Sequence, residues 1–193
     1  MTDHPDLRAA ARLTASIVTG VGDEQLDNPT PCTERNVQQL LAHIDGLSQA
    51  FAAAASKELG PLTDTQPDEA DSSLGDGWRT RVPAQLTTLA EAWRSSSAWE
   101  GMTRAGGIDL PGEVAGLVAL DEVAIHGWDL AVATSQPYRL DDATAAVVHG
   151  FLVESRKEEV PESLFGPVVD ISADAPTFDQ ALGLAGRDPH WPA

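Results

Sequence analysis

The stretch Pro111 to Ser135, PGEVAGLVALDEVAIHGWDLAVATS, dominates the expected fold. Nearly all of its residues are small or aliphatic, and a helix that is apolar on every side is usually buried on every side. The same stretch nevertheless contains Glu122, His126 and Asp129. Ionisable groups are costly to bury unless they are paired or bound to a metal. We therefore predict a buried central helix that contributes to a site.

Helical geometry places these three polar groups on one stripe of the central helix. At about 100° per residue, Glu122 and His126 lie about 40° apart, and Asp129 falls on the same stripe. Such a Glu–His pair occurs by chance in many helices, so a buried hydrogen bond is one interpretation and metal binding is the other. Asp129 has three open roles. It is a fourth ligand, an acceptor that orients a ligand imidazole, or a polar residue facing solvent at the helix end.

A second strongly patterned helix is predicted over residues 34–57, with Thr33 as its N-cap. Its apolar stripe consists of Val37, Leu40, Leu41, Ile44, Leu47 and Phe51. His43 lies within that stripe, so its imidazole is expected to point at the core rather than at water. Taken alone, His43 is either a hydrogen-bonded core histidine or a metal ligand.

Helices dominate the rest of the chain as well. Further helices are predicted over residues 4–20 and 78–97, from a cap at Asp141–Asp142 to about 157, and over residues 177–185. The last of these is expected to begin with a Thr177–Gln180 capping box and to end at Gly186. Residues 58–77 are acidic and rich in Pro, Gly and Ser, which is typical of a surface connection. Residues 99–112 contain turn signals at Gly106–Gly107 and Pro111–Gly112 and are predicted to be irregular.

This pattern favours an all-α fold, an antiparallel four-helix bundle with one long crossover at residues 58–77. An extra C-terminal helix and a short irregular tail complete it. With 193 residues the chain is long enough for one well-filled core. We expect a single domain over 1–193, with its core at about 4–157 and a C-terminal extension at about 158–193.

Facing helices of a bundle can supply the ligands of a metal site. Glu122 and His126 would supply two ligands one turn apart, and His43 on the second helix is the best candidate for the third. Two histidines and one glutamate with positions left open are typical of catalytic zinc sites, and the same donors also suit iron or nickel. The catalytic residues themselves are not apparent from the sequence.

Composition limits the partners and the location. The net charge of -18 argues against nucleic acid and against an anionic membrane, since both need a basic surface. The single cysteine excludes an internal disulfide and suits a reducing cytoplasm. Neither a signal-peptide pattern nor an uninterrupted apolar run of about 18 residues is present, so we expect a soluble cytoplasmic protein. A small molecule or a thiol is the expected partner, and a homodimer is left open.

Three segments resemble a known family: PTPCTERNVQQLLAHIDG at 29–46, LDEVAIHGWDLAVATSQP at 120–137, and GRDP at 186–189. They are similar to actinobacterial metal-binding proteins related to the mycothiol-dependent maleylpyruvate isomerase, within the DinB-like four-helix-bundle superfamily. The resemblance implies a divalent metal bound by His43, Glu122 and His126. It also implies mycothiol as a thiol cosubstrate. Family members commonly have tryptophan where this chain has Arg35.

Two classes of function follow from these observations. The first is a metal-dependent thiol transferase or isomerase, in which open coordination positions would accept a thiol. The second is a metal-binding or sensor protein of the same fold without catalysis. The isomerase resembles this bundle followed by a full second domain, and the roughly 30 residues after Pro161 are too few for such a domain.

Overall fold

The computed structural model describes residues 4–65, 74–157 and 166–192. Its helices are α1 (Arg8–Gly20), α2 (Val37–Ser56), α3 (Pro61–Asp64), α4 (Trp78–Ala92), α5 (Ser96–Trp99), α6 (Gly112–Ala133), α7 (Asp142–Ser155) and α8 (Thr177–Leu184). A short 3-10 turn spans Asp23–Gln25, and two strands, β1 (Met102–Ala105) and β2 (Ile108–Pro111), precede α6.

Four of these helices form the expected bundle. Each of α1, α4, α2 and α6 packs against two others, in that cyclic order. The connection from α2 to α4 is the predicted long crossover, of which residues 66–73 lie outside the described residues. Helices α7 and α8 pack against each other, and α7 also contacts α6. The predicted all-α bundle with an extra C-terminal helix is therefore confirmed.

The central helix α6 is buried as its composition predicts. Every residue from Val123 to Ala131 is buried, including both His126 and Asp129. Gly127 lies where α6 and α1 approach each other, and a Cβ atom there would overlap the Thr14 hydroxyl. That hydroxyl donates to the carbonyl of Val123 at 3.0 Å, so α1 and α6 are joined at this point. Among the described helices, none is both long and apolar enough to cross a membrane.

Three predicted helix starts are wrong in detail, the first being that of α1, which begins at Arg8 rather than at residue 4. Helix α2 is capped by Asn36 rather than Thr33: the Asn36 side chain accepts from Gln39 N at 2.9 Å, and Gln39 Oε1 accepts from Asn36 N at 3.0 Å. This reciprocal pair satisfies two free backbone donors, whereas Thr33 would satisfy one. Helix α8 has Pro176 at its N-cap with no side-chain cap, because the Gln180 amide donates to the carbonyls of Ala173 and Ala175 instead.

The segment from Trp93 to Pro111 also differs from the prediction. The helix expected over 78–97 ends at Ala92, and the chain turns into α5 where the Trp99 indole donates to the Trp93 carbonyl. Residues 99–112, predicted to be irregular, form the antiparallel hairpin β1–β2 with Met102 opposite Pro111. Its two-residue turn is the predicted Gly106–Gly107, a sequence that suits the tight turn of a hairpin.

Candidate metal centre

The three predicted ligands converge between two facing helices of the bundle. His43 lies in the first half of α2, Glu122 and His126 lie one turn apart on α6, and α2 packs directly against α6. One donor atom from each side chain lies within 4.8 Å of the other two. The apolar stripes that bury the helices therefore also bring these donors together. That they bind a metal stays a prediction.

The contacts within this triad are short but are not hydrogen bonds. Glu122 Oε2 lies 3.1 Å from His126 Nε2 and 3.6 Å from His43 Nε2, and the two rings are perpendicular with centroids 4.9 Å apart. Although Oε2 is buried, it has no hydrogen-bond partner. Glu122 and His126 are therefore in ion-pair contact without a hydrogen bond at Oε2. Two imidazole nitrogens and one carboxylate oxygen within 4.8 Å of one another are a suitable donor set for a first-row divalent cation.

Asp129 lies beside the triad and is hydrogen-bonded to His126 and Arg187. It is fully buried, which rules out the solvent-facing role left open by the sequence. His126 Nδ1 donates to Asp129 Oδ2 at 3.0 Å. Arg187 binds both carboxylate oxygens, with Nε at 3.2 Å from Oδ1 and Nη2 at 2.9 Å from Oδ2. The arrangement suits the predicted role of a carboxylate that orients a ligand imidazole, and that role stays a prediction.

A second group of potential ligands, Cys32, His126 and Asp129, also lies within 4.8 Å. This group is a poor metal site, because Asp129 already accepts hydrogen bonds on both oxygens from Arg187 and on one of them from His126. Cys32 is half-buried and lies 3.9 Å from the Arg35 guanidinium. The remaining histidines, His4, His149 and His190, lie in neither group.

The charges around the triad shift its protonation in the metal-free chain. Burial alone lowers the pKa of His126, but its contacts with Asp129 and Glu122 outweigh burial and raise the pKa to about 10. Burial likewise opposes the charge on Glu122, and the two adjacent imidazoles outweigh it, which holds the pKa of Glu122 well below its usual range. For His43, burial is decisive and lowers the pKa. In the metal-free chain a protonated His126 therefore lies between the carboxylates of Asp129 and Glu122.

Two residues near the triad had no predicted role. Asp121 is 4% exposed, its Oδ1 has no hydrogen-bond partner, and burial together with the charge of Glu122 raises its pKa to about 8. Arg187 belongs to the GRDP segment, which was recognised only as part of a resemblance. No local spacing links Arg187 to Asp129, since 58 residues separate them.

Fold and site together define a helical-bundle protein with a candidate divalent-metal centre. Residues 7–131 match the family described as the mycothiol maleylpyruvate isomerase N-terminal domain. This match covers well over half of the chain, and the chain belongs to that family.

The chain is also similar to two relatives and two solved structures. Two uncharacterised proteins, from two strains of Mycobacterium tuberculosis, are each 30% identical over 135 residues, which is 68% of this chain and 66% of theirs. A crystal structure of the mycothiol-dependent maleylpyruvate isomerase matches with a TM-score of 0.56 and 19% identity, over 76% of this chain and 66% of that one. The structure of a mutant of the same enzyme gives the same TM-score with 17% identity. At these identities the structural match establishes the shared fold.

Proposed function

We propose that this chain binds a divalent metal, zinc being the best candidate, through His43, Glu122 and His126, and that it activates a low-molecular-weight thiol of the mycothiol type. The main support is the unsatisfied Glu122 Oε2, buried between two imidazole nitrogens at 3.1 and 3.6 Å. A buried carboxylate oxygen without a hydrogen bond is costly, and a bound cation would remove that cost.

The chain's own residues have distinct tasks in this proposal. His43 and His126 each offer Nε2, and Asp129 holds the Nδ1 proton of His126, so that the lone pair of that ring is directed at the site. The side chain of Glu122 is 31% exposed, against 11% for His43 and 10% for His126. The site is therefore accessible from the Glu122 side. A divalent cation, when bound there, would supply the Lewis acidity that favours a thiolate over a thiol.

The thiol is proposed from the family. The matched domain and the crystallised isomerase are both described as acting with mycothiol. A transferase or isomerase that uses such a thiol is the reaction class we propose, and a small electrophile is its second substrate. Iron or nickel remain alternatives to zinc, because the same donors suit all three metals.

One observation favours a second candidate function, a non-catalytic metal-binding or sensor protein. The structural match spans 66% of the crystallised isomerase, so part of that enzyme has no counterpart in the matched region. An activity that depends on the unmatched part of that enzyme does not follow from the shared fold, even if the metal is bound.

The metal can be tested by elemental analysis of protein purified without a nickel column. The wild-type chain should contain about one equivalent of zinc, iron or nickel, and His126→Ala and Glu122→Gln should contain much less. His149→Ala is the matched control, since His149 lies on α7 and outside the triad. Equal metal content in all four proteins would contradict the proposed ligands.

The thiol can be tested separately with the metal-loaded protein, mycothiol and maleylpyruvate or a general electrophile. Turnover that requires mycothiol and disappears in His126→Ala is the expected result. Stoichiometric metal with no turnover of any electrophile would favour the non-catalytic alternative.

A further inference from the structure

We infer that Arg187 is a positioning residue for the metal centre: it holds the Asp129 carboxylate in the plane from which Asp129 orients His126. The inference rests on the proposed function, since the imidazole it positions is a proposed ligand. Arg187 lies beyond residue 131, where the family match ends. A segment outside the matched domain would then complete the site.

The contacts form one continuous chain from Arg187 to the triad. Arg187 binds Asp129 through two nitrogens, Nε at 3.2 Å and Nη2 at 2.9 Å, and Asp129 Oδ2 accepts from His126 Nδ1 at 3.0 Å. On the other side of the same ring, His126 Nε2 lies 3.1 Å from Glu122 Oε2. A two-point arginine–carboxylate pair fixes both the position and the plane of the carboxylate. Asp129 consequently has little freedom to rotate away from His126.

Burial makes this pair more than a surface contact. The Asp129 side chain is 0% exposed and that of Arg187 is 12% exposed. Removing one partner of a buried ion pair leaves an uncompensated charge, which is relieved when the remaining side chain moves, water enters or the carboxylate takes up a proton. Each response would weaken or change the contact by which Asp129 orients His126.

The backbone at the end of α8 places Arg187 for this contact. Arg187 N donates to Leu182 O at 2.8 Å and Gly186 N donates to Gly183 O at 3.1 Å, which is the paired bonding of a Schellman motif. Gly186 has φ 77°, the left-handed conformation that this motif requires. Arg187 Nη1 donates to Ala185 O at 2.7 Å, so the guanidinium is also held by its own helix end. The side chain is therefore directed back toward α6 by local structure.

A second arginine provides a matched control. Arg156 on α7 also holds the C-terminal segment, and its described hydrogen bonds run to the backbone carbonyls of Leu184 and Gly166, each at 2.9 Å. Substituting Arg156 should loosen the segment without removing the charge that faces Asp129. Substituting Arg187 should loosen the segment and also remove the charge that faces Asp129.

The experiment compares wild type, R187M, R187K and R156M by competition titration with Zn²⁺ and a chelating indicator. The visible absorption spectrum of the Co²⁺-substituted proteins is recorded as well. Loss of a residue that orients a ligand typically weakens metal affinity by about 10- to 100-fold. We expect that loss in R187M together with an altered Co²⁺ spectrum, a smaller loss in R187K, and Zn²⁺ affinity within about twofold of wild type in R156M.

A second variant keeps the inference testable if R187M does not fold. D129N removes the carboxylate while nearly preserving its shape, and it should weaken Zn²⁺ binding as R187M does. Where R187M folds, the Zn²⁺ affinity of the double variant D129N/R187M should be no lower than that of whichever single variant has the lower affinity. Both substitutions act through one contact, so their effects should not add. Additive losses would show that Arg187 acts independently of Asp129 and would overturn the inference.

The remaining outcomes separate the inference from the function on which it rests. R187M with wild-type Zn²⁺ affinity and spectrum overturns the inference alone. Equal losses in R187M and R156M overturn it too, since the effect would then belong to the segment as a whole. A wild-type protein that binds no Zn²⁺ overturns the proposed function and the inference together.

Discussion

Removing the metal should lower the melting temperature, by an amount that depends on pH. A ligand that binds only the folded chain adds about 2.7 kcal/mol at a free concentration 100 times its Kd. For a protein of this size, 1 kcal/mol shifts the Tm by about 2–4 °C. Addition of a chelator to the zinc-loaded protein should therefore lower the Tm by about 5–10 °C at neutral pH.

The pH dependence follows from the protonation of His126 in the metal-free chain. Its pKa is raised to about 10 by Asp129 and Glu122, against an ordinary value of about 6.5 in the unfolded chain. A raised histidine pKa stabilises the metal-free protein fully below about pH 6.5, and this contribution is lost as the pH rises toward 10. Zinc must displace that proton, so its apparent affinity should rise about tenfold per pH unit over this window. Since tenfold is about 1.4 kcal/mol, the gap in Tm should widen by about 3–5 °C per unit.

Differential scanning calorimetry at pH 6.5, 7.5 and 8.5, with zinc buffered at one free concentration or with chelator, measures this gap. Glu122→Gln serves as the control and should show little gap at any pH. Titration calorimetry in buffers of different ionisation enthalpy should detect about one proton released per zinc at pH 7.5. Coincident melting of loaded and chelated protein at every pH would refute metal binding, and a gap that is the same at every pH would refute the displaced proton.

Three substitutions away from the triad test the fold and its charges, each by thermal melting. Gly127→Ala should cost about 1–3 kcal/mol, because the new Cβ overlaps the Thr14 hydroxyl; an unchanged Tm would show that α1 and α6 can separate there. Asp141→Ala should cost about 0.5–2 kcal/mol, since Asp141 accepts from Thr144 N at 2.9 Å as the N-cap of α7. These contacts with Thr144 lower the pKa of Asp141, so the deficit should shrink as the pH falls below about 4, and a deficit constant with pH would contradict the capping role. Asp121→Asn should raise the Tm at pH 7.5 but not near pH 4. The reason is that the raised pKa of Asp121, about 8, makes its carboxyl group destabilise the folded chain increasingly as the pH rises from about 4 to 8. An equal gain in Tm at both pH values would contradict the assigned protonation of Asp121.

The sequence was sufficient to predict the parts of this structure that depend on local periodicity. His43 could be placed on the core face of α2, and Glu122 and His126 on one stripe of α6, because both follow from the helical repeat. To predict that the three side chains converge, one further assumption was enough, that the two helices face each other.

Local patterns did not predict which of two candidate caps begins a helix, nor did they predict contacts between residues far apart in the sequence. Asn36 and Thr33 are both good caps, and the choice between them depended on the reciprocal bond with Gln39. Arg187 could not be assigned to Asp129, because an ion pair across 58 residues leaves no periodic signal. Asp129, whose burial the sequence left open, is 0% exposed and is paired with that same distant arginine.

The Arg187–Asp129 pair also affects how this chain can be divided. The family match ends at residue 131, only two residues after Asp129. A fragment cut there would retain a carboxylate that is 0% exposed in the intact chain and would lack the arginine that compensates it. Breaking a buried pair in this way costs about 3–5 kcal/mol, a large part of the stability of a typical domain. A fragment that ends at residue 131 should therefore be less stable than the chain that retains Arg187.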